Sequence, residues 1–149
     1  MTTWAFLGLG LVGGLAWLWL ASPAQWEARS NGLVLTEAGA QGQFSVIVTF
    51  VIVGAIGSLL LGAVAGRSCS GLGWAVTPFV VVLALVAAVI AWRVGVELGP
   101  PDPSSVSVSA VGDKVPAQLA IDTVVPFLVW PIAALLGVVL AISADRREI

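Results

Sequence analysis

The residues able to do chemistry are few in this chain, and their pattern says more than their number. Histidine and tyrosine are absent, and Met1 and Cys69 are single. A lone cysteine excludes an intrachain disulfide and a multi-cysteine metal site, and haem ligation by histidine is impossible. Of the eight acids, six fall in two long polar stretches: Glu27 and Glu37 in the first, Glu97, Asp102, Asp113 and Asp122 in the second. No two share a metal-ligand or acid–base spacing. Carboxylate catalysis would require two of them to converge within about 5–10 Å. Gly8-Leu9-Gly10-Leu11-Val12-Gly13 matches the dinucleotide fingerprint by letter, but no strand precedes it and no βαβ unit follows, so it carries no phosphate site. These residues give no catalytic group, no cofactor-binding residue and no metal ligand. Arg93 alone stands out, at the end of an apolar run, as an interface marker or an anchor for a lipid headgroup.

The elements that position these groups follow from composition. The chain has 149 residues, 59% apolar and 9% charged, with a mean hydropathy of +1.07. Soluble domains carry about 25% charged residues, so a single integral membrane domain over residues 1–149 is expected. The six Lys and Arg are scattered, which argues against a nucleic-acid partner. Four apolar runs, at about residues 4–20, 44–66, 74–96 and 123–144, are each long enough to cross a bilayer as a helix. The first ends at Ser22-Pro23-Ala24, a passable cleavage site, but no Lys or Arg precedes it, which favours a retained span over a signal peptide. The fold class is therefore an all-α four-helix transmembrane bundle.

Small residues recur every fourth position on these runs: Gly10 and Gly14 on the first, Gly54, Ser58, Gly62 and Gly66 on the second, Ala133, Gly137 and Ala141 on the fourth. Residues four apart share a helix face, and a line of small ones lets two backbones approach closely. The Gly10–Gly14 face is expected to meet the stripe of the second span. The third span adds Ala84, Ala88 and Ala87, Ala91. Its short link from the second span, Arg67 to Gly73, predicts antiparallel neighbours. Pro131, inside the fourth run, predicts a kink. Ser45, Thr49, Ser58 and Thr77 can each bond back to their own helix.

The polar stretches predict a small β cap. Asn31-Gly32 signals a turn and Leu33 to Thr36 is β-prone. Thr36 is a candidate N-cap, with Glu37 in the first turn, so the second helix is expected to start before Phe44. Ser105 to Ser109 alternates with valine as a strand does, and it is expected to pair with Leu33 to Thr36. Arg67, Arg146 and Arg147 lie in short flanks at one end, whereas Arg29, Arg93 and Lys114 are diluted in the long loops. The positive-inside rule then puts both termini in the cytoplasm. The aromatic belt has Trp4 and Trp74 at the inner ends and Trp17, Trp19, Trp26 and Trp92 at the outer ends. Trp130 lies deeper, packed against a neighbour.

With four spans, a first loop ending Gly32-Leu33-Val34-Leu35-Thr36-Glu37, a proline-rich then Val/Ser-alternating second loop and a charged tail, the chain resembles an uncharacterised family of small actinobacterial four-helix membrane proteins. The resemblance rests on layout and on the alanine, valine and glycine bias. The family brings no established activity, so no functional residue is transferred. The expected function is a non-catalytic accessory or assembly subunit of a larger membrane complex, with other integral membrane proteins and lipid as partners and no cofactor. In an actinobacterial setting a respiratory cytochrome supercomplex is the natural host. The alternatives are a stand-alone or homo-oligomeric transport or lipid-binding protein using Arg93 and Pro131, and an enzyme using the outer carboxylates.

Overall fold

A computed structural model describes residues 1–35, 37–105, 107 and 110–146. It is built from four long helices, α1 (Thr2–Leu20), α2 (Glu37–Ser68), α3 (Val76–Leu98) and α4 (Val125–Asp145), with three short strands, β1 (Gln25–Arg29), β2 (Gly32–Leu35) and β3 (Lys114–Pro116). Each helix contains a stretch long and apolar enough to cross a membrane. α2 begins seven residues ahead of the Phe44 run, with Glu37 in its first turn. Thr36 lies outside the described residues, and with it the proposed N-cap. α4 runs unbroken through the buried Pro131.

Contacts follow two principal pairs, α1 with α3 and α2 with α4, joined along α1–α2 and α3–α4. The order around the bundle is therefore α1, α3, α4, α2. Within each pair the helices run parallel, because contacting residue numbers rise together. A β-carbon added at Gly10 would lie 2.9 Å from the Ala87 carbonyl oxygen, and one at Gly14 would lie 2.8 Å from that of Ala91. Gly62 likewise abuts the Ala134 carbonyl, and Gly66 approaches Val138 and Ala141. This corrects two sequence expectations. Gly10 and Gly14 receive the β-branched Ile90 and Val94 of α3 rather than the small stripe of α2, since a glycine notch is best filled by a ridge. The α2–α3 link, a 3-10 turn over Ser70–Ala75, joins helices that touch only sparsely across the bundle. A short link restricts distance between ends, not contact along the length.

The strands form one antiparallel sheet at the end where α1 and α3 finish, ordered β2-β1-β3. Arg29 pairs with Gly32 across a two-residue turn, Ser30-Asn31, and Gly32 takes a φ of 119°, open to glycine at little cost. The second loop contributes a different segment from the one its alternation indicated: Lys114–Pro116 pairs with β1, not with β2. Ser105 closes a 3-10 turn, and Val106, Val108 and Ser109 lie outside the described residues.

Beneath the sheet an aromatic cluster fills the bundle. Phe50 is in ring contact with Trp17, Phe127 and Trp130, at centroid distances of 5.0, 5.3 and 5.3 Å, and Phe127 meets Trp92 at 6.0 Å. Trp17 is fully buried and its indole N–H donates to the Val46 carbonyl at 2.8 Å. It belongs to the core and not to the outer belt, because Gly95 of α3, with no β-carbon, lets its ring lie against the α3 backbone. Trp4, Trp19 and Trp74 are strongly exposed near the helix ends.

Candidate functional site at the capped end

The sheet divides the polar chemistry of the capped end in two. Side chains alternate across a strand, so Gln25, Glu27 and Arg29 of β1 face one way and Trp26 and Ala28 the other. On the first face Glu27 stands directly opposite Lys114 in the β1–β3 register. Here a cavity of about 540 Å³ is lined by Gln25, Glu27, Lys114, Gln41 and Ser45, with Ser22 and Pro23 at its edge. Its floor is glycine. Gly39 and Gly42 bring the first turns of α2 against the chain entering β1: a β-carbon at Gly42 would lie 2.7 Å from the Ala24 backbone nitrogen, and one at Gly39 would lie 2.9 Å from the Gln25 carbonyl oxygen. The early start of α2 is thus what supplies one wall.

On the opposite face Trp26, Leu33 and Leu35 line a cavity of about 370 Å³, with Gln43, Gln118 and Asp102 at its rim. Asp102 is held by its own loop. Both the hydroxyl and the backbone N–H of Ser104 donate to its Oδ1, at 2.7 and 2.8 Å, and these bonds, the hydroxyl first, lower its pKa below the ordinary aspartate value.

The other acids of the second loop have separate settings. Glu97 pairs with Arg93 at 3.8 Å, one turn along α3. Asp113 caps a turn by accepting from the Ala110 N–H at 3.1 Å, and Asp122 is exposed. Among the described residues no group of three His, Cys, Asp or Glu is placed to hold a metal ion. Arg93 also lies over the Trp92 ring, 5.4 Å from its centroid, with its side chain 64% exposed. At the far end Arg67 pairs with Asp145 at 3.6 Å, linking α2 to α4. Exposed pairs of this kind contribute about 0–1 kcal/mol.

The other sequence-derived positions all lie in the bundle seams. Gly54 accepts the Trp130 indole, Gly137 meets the Leu59 carbonyl and the Ala63 nitrogen, and Ala133 and Ala141 are buried on the same face of α4. Ser58 is fully buried, and its hydroxyl, like the Trp130 indole N–H, has no hydrogen-bond partner among the described residues. Sequence reasoning missed the Gln25–Glu27–Lys114 face. Its signal was present in Gln25-Trp26-Glu27-Ala28-Arg29, which alternates polar and apolar at the strand period.

Comparison with protein-family models, with curated proteins and with solved structures gave no match.

Proposed function

We propose that the chain is a multi-pass protein of the cell membrane, with both termini cytoplasmic, acting as a non-catalytic accessory or assembly subunit of a larger membrane complex. The observation that carries this reading is how the bundle is filled. Glycine seams and an aromatic cluster occupy the interior, and the two cavities with polar linings lie at the capped end. Such a bundle is an anchor rather than a conduit, and its outward faces remain apolar, with Ile52, Ile56, Leu60 and Val64 of α2 exposed in a row. Arg67 and Arg146 at the uncapped end, with Arg147 beyond, support the cytoplasmic side by the positive-inside rule. The specific host we propose is a respiratory cytochrome supercomplex of actinobacterial type, on layout and composition.

The test is affinity purification of the tagged chain from native membranes in a mild detergent, followed by mass spectrometry and a visible absorption spectrum. Stoichiometric membrane partners with haem bands are expected. Partners without haem would move the chain to another assembly, and a colourless single species would overturn the subunit reading. A second reading, a stand-alone lipid-binding protein, is favoured by the two cavities flanking the sheet.

A further inference from the structure

We propose that the cavity between β1, β3 and the first turns of α2 is a binding site for a zwitterionic phosphoethanolamine group. Three observations converge on it. First, the cavity places one cation and one anion side by side: Lys114 and Glu27 are cross-strand partners, and directly opposed residues have β-carbons about 5 Å apart. Yet the two form no ion pair with each other. Glu27 has a long, partly exposed ion pair with Arg29, at 4.0 Å, which a ligand ammonium in the cavity would compete with, and among the described residues Lys114 has no ion-pair partner. A ligand whose own charges are a few bonds apart can satisfy both, its phosphate on the Lys114 ammonium and its ammonium on the Glu27 carboxylate.

Second, the rest of the lining suits the uncharged oxygens of such a ligand. Gln25, Gln41 and Ser45 supply amide and hydroxyl donors around a volume of about 540 Å³. Third, the cavity sits at a boundary in height. Ser45 follows the exposed Phe44, where the apolar run of α2 starts, and Ser22 follows the exposed Trp19 and Leu20, where that of α1 ends. In a bilayer this is the level of the headgroups, so a lipid could place its headgroup in the cavity and its chains along the apolar helices. This last step rests on the membrane placement proposed above; the charge pairing does not.

The experiment uses the full chain in detergent and in nanodiscs. Native mass spectrometry measures retention of phosphatidylethanolamine, phosphatidylglycerol and diacylglycerol, and soluble O-phosphoethanolamine is the competitor. Phosphatidylethanolamine is expected to be retained about tenfold over the other two. Glu27→Gln should erase its advantage over phosphatidylglycerol, whereas Lys114→Gln should reduce both phospholipids. That split, selectivity lost in one variant and affinity in the other, is something a merely structural cross-strand pair would not produce. Competition by the soluble compound near the lipid's own concentration would identify a free solute as occupant. Competition only at a hundredfold excess would identify the lipid, and either supports the site. Equal retention of all three lipids by the unaltered protein, with no competition, overturns it, and this needs no variant to fold. Alkaline carbonate extraction run in parallel separates the two premises: a chain released from membranes removes the membrane placement, while binding of soluble phosphoethanolamine still decides the site.

Discussion

The α1–α3 and α2–α4 seams follow one plan. In each, a tryptophan on one helix rests on a glycine of the other toward the capped end, Trp17 on Gly95 and Trp130 on Gly54, and small residues continue the seam toward the opposite end. They differ in closeness. In α1–α3, a β-carbon at Gly10 or Gly14 would stand 2.7–3.0 Å from carbonyls and β-branched side chains of α3, and Gly95 of α3 takes the Trp17 ring in return. In α2–α4 both helices offer glycine, and each presses on the other's backbone: Gly62 on the Ala134 carbonyl, Gly137 on the Leu59 carbonyl. A carbonyl or a β-carbon in a helix moves only with the helix, so the seam with the shorter clearance yields less, and Gly62 and Gly137 approach the facing backbone more closely than Gly10 and Gly14 do. The α2–α4 seam is thus the tighter half of the bundle, and α1–α3 the half with more clearance.

The largest test breaks the tighter seam. Gly62→Ala puts a methyl group into the Ala134 carbonyl, so α4 must move as a body. Overpacking of this kind costs about 1–3 kcal/mol and more where nothing can yield. A loss of about 3 kcal/mol is expected in denaturant titrations of the protein in mixed micelles, and Gly137→Ala should match it from the other side. A loss below about 1 kcal/mol in both would show that the seam is not close-packed.

The same substitution at Gly14 sharpens the contrast. Its new methyl group would stand 2.7 Å from the Val94 β-carbon and 2.8 Å from the Ala91 carbonyl oxygen. Both atoms are fixed to the α3 backbone, so a shift of α1 by a few tenths of an ångström takes up the strain, and alanine recovers about 1 kcal/mol of helix propensity over glycine. A net loss of about 1 kcal/mol is expected. Gly8 supplies the control, since nothing lies within 4 Å of a β-carbon there, and Gly8→Ala should be neutral or stabilising by up to about 1 kcal/mol.

Much of this was legible in the chain, and the failures have physical reasons. Span positions follow from apolar runs, and the seams from glycine at four-residue spacing. Which seam meets which does not follow, because Gly10 on α1 reads the same whether a glycine or an isoleucine faces it. The cap was foreseen as β structure, and its first hairpin follows from Asn31-Gly32. The partner strand was not, because three residues at Lys114–Pro116 are too short to show a period, while Ser105–Ser109 shows one without joining the described sheet. The candidate site falls in that gap. Lys114 and Glu27 are far apart in sequence, and only strand register brings them opposite.

The smallest effect separates the two tryptophans. Both are fully buried and both stand over a glycine, but only Trp17 uses its indole N–H, donating at 2.8 Å to Val46 of α2 and so tying one seam to the other. The Trp130 N–H has no partner among the described residues. Trp17→Phe and Trp130→Phe remove similar volume, and each should destabilise the bundle through the gap left behind. Trp17→Phe removes a hydrogen bond as well, whereas Trp130→Phe relieves a buried N–H of its desolvation. Their difference therefore isolates the polar term, expected at about 1–2 kcal/mol with Trp17→Phe the more costly. Equal losses in the micelle titrations would mean that the Trp17–Val46 bond does not hold the seams together, and that the aromatic cluster around Phe50 joins the two halves by packing alone.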